Sequence, residues 1–129
     1  MRIISGNLKG RKLFLPSSKI TRPLRDLVKE NIFNIINHSN LIDVKIKGSS
    51  ILDLYSGIGS FGIECISRGA KHVTFVEKNK ETFNILKKNL VKFSIEKKAA
   101  LLTEDVNKAI NGISELSKFN IFFFRSPIR

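Results

Sequence analysis

The sequence has a single cysteine, Cys65, among its 129 residues. An intramolecular disulfide is therefore excluded, and this cysteine usage fits a reducing, cytoplasmic compartment. No stretch approaches the roughly 18 apolar residues of a membrane span, and no apolar signal core follows the N-terminal charges. His38 and His72 lack the spacing of metal ligands, so each is expected to be structural or exposed. These absences predict a cytoplasmic protein with no membrane partner and no metal.

Acidic residues are also scarce, because 11 Asp and Glu stand against 23 Lys and Arg, giving a net charge of +12. Residues 1–29 hold eight of these cations and one acid, a net of 8 − 1 = +7, and four of the eight are Arg. An AT-rich genome would inflate lysine, but it would spread the charge evenly. The concentration of Arg in one segment favours a phosphate-binding surface and a polyanionic partner.

Apolar patterns predict alternating strands and helices after an N-terminal arm. Residues 2–15 are expected to form a hairpin or extended arm, and a helix over residues 24–37 is expected to bury Leu24, Val28, Ile32, Ile35 and Ile36. The later strands are predicted over residues 50–54, 72–77, 99–102 and 119–124, and the later helices over 61–68, 79–93 and 107–116. This order predicts an α/β fold with a parallel sheet and ligands at the carboxyl ends of the strands. Residues 119–124 are apolar apart from Asn120, so this strand is expected to be central.

A glycine-rich turn follows the first of these strands, with Gly57, Gly59 and Gly62 in the spacing G-x-G-x-x-G. Glycines at such a turn let the backbone approach a nucleotide closely, as in dinucleotide oxidoreductases. Asp53 precedes the first glycine by four residues, and a carboxylate there would repel a pyrophosphate. The turn also has no Arg or Lys. Both features favour S-adenosylmethionine, whose ammonium group Asp53 would hold directly or through water.

Three further residues are candidates for the same cofactor. Glu77 ends the second strand of the sheet, where an acid accepts hydrogen bonds from ribose hydroxyls in either cofactor class, or is simply solvated. Asp105 follows the third strand and could accept from the adenine amino group, cap a helix, or do both. Tyr55 could line the cofactor pocket or only pack. Cys65 is expected to be a small buried apolar residue.

The combination of arm and glycine motif resembles a known family, the RsmD-type methyltransferases. The resemblance covers the whole chain and is carried by Arg-Ile-Ile-Ser-Gly at 2–6, Lys-Gly-Arg-Lys-Leu at 9–13, Thr-Arg-Pro at 21–23, Leu-Asp-Leu-Tyr-Ser-Gly-Ile-Gly at 52–59, Phe-Val-Glu-Lys at 75–78 and Lys-Asn-Leu at 88–90. The glycine motif alone is less specific than this combination.

The resemblance implies a Rossmann-like methyltransferase fold and methyl transfer from S-adenosylmethionine to the exocyclic N2 of a guanine in 16S ribosomal RNA. It implies two units: a basic RNA-binding arm and helix at residues 1–49, and a cofactor-binding half-domain at 50–129. It also implies that 16S ribosomal RNA or the small ribosomal subunit is the partner, with the complete protein a monomer. RNA phosphates would contact six cations: Arg2, Lys9, Arg11, Lys12, Arg22 and Arg25.

The family's catalytic motif is absent. After its fourth strand the family has Asp-Pro-Pro and an aromatic residue, which accept from the guanine amino group and stack on the base. The corresponding residues here are Arg125, Ser126, Pro127 and Ile128, so no catalytic residue is intact. We expect a truncated or frameshifted gene product, because the codons for these residues can encode Asp-Pro-Pro in a neighbouring frame. The nucleotide sequence would decide this.

Two other functions remain open from the sequence. The chain could be a noncatalytic RNA-binding remnant that retains the cofactor site, or, on the glycines alone, an NAD-dependent oxidoreductase.

Overall fold

The computed structural model describes residues 1–16, 26–38 and 45–124. After helix α1, strands and helices alternate as the apolar patterns predict. The elements are α1 (Asp26–His38), β1 (Ser50–Leu54), α2 (Ser60–Ser67), β2 (His72–Val76), α3 (Lys80–Lys92), β3 (Ala99–Leu102), α4 (Val106–Gly112) and β4 (Ile121–Phe124), with short 3-10 turns at Glu96–Lys98 and Leu116–Lys118.

The four strands form one parallel sheet in the order β3-β2-β1-β4. The chain moves from β1 outward to β3 and then returns to the other side of β1. Because such crossovers are right-handed, α2 and α3 cover one face of the sheet and α4 covers the other. The order reverses beside β1, so the carboxyl end of β1 is where a ligand site is expected.

Side chains on β1 alternate between the two faces, since successive residues of a strand point in opposite directions. Ile51 belongs to the larger buried cluster, which α2, α3 and α1 share. Leu52 and Leu54 belong to a smaller cluster around Ala109 of α4. Four apolar residues of α3 and its C-cap are buried against the sheet, namely Phe83, Leu86, Leu90 and Phe93.

The N-terminal arm is a hairpin, as predicted. Arg2 and Lys12 pair in antiparallel fashion, and the amide of Ile3 donates to the carbonyl of Arg11 at 2.9 Å. Ile3 and Leu13 are buried in the same cluster as the α2 face of the sheet. The division into two units at residue 49 stays a prediction.

The apolar face predicted for the first helix is partly wrong. Val28 and Ile35 are exposed, whereas Lys29 and Phe33 are completely buried. The Phe33 ring stacks on Phe61 of α2 with centroids 5.1 Å apart. Packing against α2 therefore decides which face is inward, and it overrides the count of aliphatic residues. Leu24 lies outside the described residues.

The prediction that the last strand is central is not met by the described residues, where β4 is an outer strand of the sheet. Phe122 and Phe124 are 50% and 59% exposed, and they point to the α4 face. Ile121 and Phe123 point to the α2 face, where the Phe123 ring stacks on Phe61 at 3.7 Å. A continuous apolar run therefore does not show whether a strand is buried on both faces of the sheet or on one face. No helix within the described ranges is long and apolar enough to cross a membrane.

Candidate functional site

The glycine-rich turn leaves β1 through a left-handed backbone conformation. Tyr55 has φ 60° and Gly57 has φ 61°. A non-glycine residue in this region costs about 1–2 kcal/mol, so the surrounding bonds must hold Tyr55 there. Ser56 supplies them: its amide donates to the carbonyl of Val76, and its hydroxyl donates to the carbonyl of Asp53 at 2.6 Å and accepts from the amide of Val76 at 3.0 Å. Sequence reasoning assigned no role to Ser56, although Ser-Gly at the end of a strand is a turn signal.

The structure brings Glu77 to this turn, as the parallel order of β1 and β2 requires. Oε1 of Glu77 accepts from the amide of Gly57 at 2.8 Å, and Oε2 accepts from the amide of Asn79 at 3.0 Å. The Glu77 side chain is half-buried. One carboxylate oxygen of Glu77 bonds to the glycine turn, and the side chain is partly accessible to solvent. The carboxylate is therefore well placed to accept hydrogen bonds from hydroxyl groups of a bound ligand.

Gly59 and Gly62 have a structural reason that differs from close approach to a ligand. A Cβ atom on Gly59 would lie 2.5 Å from Leu86 Cδ1, and one on Gly62 would lie 2.3 Å from Phe75 Cε1. Both glycines therefore let α2 pack tightly against α3 and β2. Of the three motif glycines, Gly57 is the one whose amide contacts another candidate residue.

Asp53 is buried on the α2 face of the sheet, beneath the turn. Its carboxylate lies near enough to the Cys65 thiol to contribute to the thiol's titration. Burial is the main cause that raises the pKa of Cys65 well above its usual value, and the negative charges of Asp53 and Glu64 add to it. Cys65 is buried, as predicted.

Asp105 and Tyr55 both have structural contacts. Asp105 is the N-cap of α4, where its carboxylate accepts from the amide of Lys108 at 2.9 Å. The side chain of Asp105 is also exposed, so the cap leaves room for a second role. The Tyr55 ring meets the edge of Phe124 at 5.3 Å. The cofactor roles of both residues stay predictions.

The described basic candidates of the arm, Arg2, Lys9, Arg11 and Lys12, are all exposed on the hairpin. Arg22 and Arg25 lie outside the described residues, as do Arg125, Ser126, Pro127 and Ile128 at the position of the family's catalytic motif.

A buried charge cluster joins the hairpin to the helix that follows the turn, and sequence reasoning missed its role. Glu64 accepts from the amides of Ile4 and Ser5 at 2.9 and 3.0 Å, and it forms ion pairs with Lys29 at 3.2 Å and Arg68 at 2.9 Å. One signal was available, because Glu64 is the lone acid in an otherwise apolar and small helix, Ser-Phe-Gly-Ile-Glu-Cys-Ile-Ser. A buried carboxylate requires partners.

Lys29 was counted among the N-terminal cations that favour a phosphate surface, and that assignment is wrong. Its side chain is fully buried, and its ammonium group also donates to the carbonyl of Arg2 at 3.0 Å and to the hydroxyl of Ser60 at 3.3 Å. Lys29 therefore links the hairpin to Ser60, the residue that follows Gly59 at the start of α2.

The chain is similar to known proteins that place it in a family. A family described as conserved hypothetical protein 95 matches residues 1–128. The chain belongs to this family. Ribosomal RNA small subunit methyltransferase D of Haemophilus influenzae is 46% identical over 90 residues, which cover 70% of this chain and 44% of that protein. YlbH of Bacillus subtilis, a candidate rRNA methyltransferase, is 36% identical over 89% of this chain and 59% of its own length. The resemblance to RsmD-type methyltransferases is confirmed.

Solved structures lead to the same fold. The candidate methyltransferase yhhF of Escherichia coli superposes with a TM-score of 0.72 and 29% identity, over 85% of this chain and 55% of that one. The described fold is therefore Rossmann-like and of the methyltransferase type. The chain spans about half the length of the curated relatives it matches, between 34% and 59% of each.

Proposed function

We propose that this chain is the S-adenosylmethionine-binding half of a ribosomal RNA methyltransferase. The observation that carries the proposal is the 2.8 Å hydrogen bond between Glu77 and the amide of Gly57. It joins the end of β2 to the glycine turn after β1, at the point where the strand order reverses. Glu77 contacts the turn, Asp53 is buried close by at the end of β1, and the turn itself contains no Lys or Arg. This charge distribution suits a cationic nucleoside and opposes a pyrophosphate.

Each candidate has a distinct task in this proposal. Glu77 accepts hydrogen bonds from the ribose hydroxyls, and the Gly57 amide orients the Glu77 carboxylate. Asp53 lies inside the α2 face and provides negative potential beneath the turn for the ammonium group, acting through the turn or a water molecule. Asp105 accepts from the adenine amino group with the oxygen that does not cap α4. Bound S-adenosylmethionine supplies the electrophilic methyl group.

The substrate we propose is the N2 amino group of a guanine in 16S ribosomal RNA. Support comes from the name of the Haemophilus influenzae relative, a ribosomal RNA small subunit methyltransferase, and from the exposed cations Arg2, Lys9, Arg11 and Lys12 on the hairpin. Arg22 and Arg25 follow in the chain and are proposed to extend the same contacts. The partner is the small ribosomal subunit or its RNA.

Calorimetric titration tests the cofactor site. S-adenosylmethionine is expected to bind and NAD is not. Glu77→Gln should weaken binding about tenfold or more, because a neutral amide loses a charge-assisted hydrogen bond but keeps one acceptor for Gly57. The matched control is Glu96→Gln, an exposed acid at the amino end of β3, which should leave binding unchanged. Saturation by NAD without any heat from S-adenosylmethionine would overturn the proposal.

A second function, cofactor and RNA binding without methyl transfer, is favoured by one observation. Arg125 stands where the family has the aspartate that accepts from the guanine amino group, so a donor replaces an acceptor. Radiolabelled methyl transfer to unmethylated small subunits separates the two functions. We expect little or no incorporation by this chain, with the Haemophilus influenzae relative as the positive control. A comparable rate for both proteins would exclude the noncatalytic function.

A further inference from the structure

The hairpin and the last turns of α3 are far apart in sequence but form one continuous surface. The amide of Phe14 donates to Asn89 at 2.7 Å, and the Arg11 guanidinium donates to the carbonyl of Lys92 at 3.3 Å. Lys92 in turn donates to the carbonyl of Lys12 at 2.5 Å. These contacts hold a strand of the hairpin along the C-terminal half of α3.

This surface is strongly basic. Residues 11–14 and 88–93 contain the cations Arg11, Lys12, Lys88 and Lys92 and no acid. All four are exposed, and none of them takes part in an ion pair within the described residues. Lys88 and Lys92 are four residues apart, so they lie on the same side of α3. Charge of one sign without internal neutralisation favours a polyanionic ligand.

An aromatic ring lies among these cations. Phe14 is 47% exposed, and the Lys92 ammonium group lies 4.5 Å from its ring centroid. Arg11 similarly lies over Phe93, at 5.0 Å. A half-exposed ring held rigidly by its backbone, with cations around it, is the arrangement on which unpaired bases stack. A duplex offers no free base face to such a ring.

We propose that Arg11, Lys12, Phe14, Lys88 and Lys92 bind a single-stranded segment of RNA, with phosphates on the cations and a base on Phe14. The inference rests on the proposed function for its RNA partner, and it adds α3 and a stacking residue to the arm. The surface lies at the end of α3 remote from Glu77, and a helix of 13 residues is about 20 Å long. RNA binding here is therefore separate from cofactor binding.

Fluorescence anisotropy with a labelled oligoadenylate, and with a duplex of equal length, tests the surface. Phe14→Leu keeps an apolar side chain but removes the ring, and it should weaken single-strand binding on the order of tenfold while changing duplex binding little. Phe14→Tyr should restore it. Lys88→Gln should lower the slope of log affinity against log salt by about 0.7. The control is Lys108→Gln, which changes another exposed lysine, on α4, and should change neither quantity.

The outcomes separate this inference from the function on which it rests. The proposal for this surface is overturned if wild type and Phe14→Leu bind the single strand equally well. It is also overturned if the Lys88 and Lys108 variants have equal salt slopes. Calorimetry with S-adenosylmethionine on the same variants should give unchanged affinity, which also shows that they are folded. If RNA binding follows the surface while S-adenosylmethionine gives no heat, the surface stands and the methyltransferase proposal fails.

Discussion

The two faces of the sheet differ in how completely they are covered. On the α2 face, every residue of α2 is buried, and the hairpin, α1 and α3 close the core around it. On the other face, α4 buries a single residue, Ala109. Two phenylalanines of β4 are exposed there, Phe122 to 50% and Phe124 to 59%. The buried ion pairs of Glu64 lie on the better covered α2 face, where the hairpin meets the helix after the glycine turn.

The largest expected effect is on the charge cluster of the covered face. Glu64→Ala leaves the buried Lys29 ammonium group without its anion, and we expect a loss of about 3–5 kcal/mol in the free energy of unfolding, measured by urea denaturation. Replacing both partners, with Lys29→Met and Glu64→Leu, should recover much of this loss. Glu115→Gln is the control, since its 3.9 Å pair with Lys118 is exposed. A small loss for Glu64→Ala would show that this face does not depend on the cluster.

Glycine substitutions distinguish the two faces, because the change in the free energy of unfolding should have opposite signs on them. Gly62→Ala on α2 places a Cβ against the Phe75 ring and should destabilise the protein by about 1–3 kcal/mol. Gly112→Ala on α4 meets no atom within 4 Å and should stabilise it by about 0.5–1 kcal/mol through helix propensity. Both changes are measured by the melting temperatures of the variants. Destabilisation by both variants would contradict an open α4 face.

The open face is expected to govern association more than folding. Phe122→Thr removes an exposed ring from β4, so it should change the unfolding free energy by less than about 1 kcal/mol but reduce light scattering on concentration. The neighbouring Phe123 points to the covered face and stacks on Phe61, so Phe123→Thr should cost more stability and leave association unchanged. Identical scattering for wild type and Phe122→Thr would remove β4 as the cause of association.

The smallest effect concerns chemistry on the covered face. The raised pKa of Cys65 keeps the thiol protonated, because burial disfavours the thiolate and the neighbouring carboxylates oppose it. The native protein should therefore resist iodoacetamide through pH 8, and the urea-unfolded chain should react rapidly. Ionisation favours the unfolded state above the ordinary thiol pKa, so stability should fall as the pH rises past it. Rapid alkylation of the native chain would show that α2 opens locally.

Local patterns predicted much of the fold and part of the site. The order of strands and helices and the glycine-rich turn follow from period and glycine spacing, and the burial of Cys65 follows from its residue type. Arg11 and Lys12 were assigned to a phosphate-binding surface from the charge of the arm together with the family resemblance. The full set of partners of Lys29, Ser56 and Glu64 could not be predicted, because for each residue it includes a partner 20 or more residues away along the chain.

The α/β class, the glycine-rich turn after β1 and the sign of the charge on the arm follow from the sequence alone, because these depend on residue type and on spacing within one element. Only the tertiary structure decided which cations are free to bind phosphate and which are neutralised in the core. It also decided that β4 is covered on one side, and that Gly59 and Gly62 serve helix packing. Burial and pairing are properties of neighbours in space, and a one-dimensional pattern does not contain them.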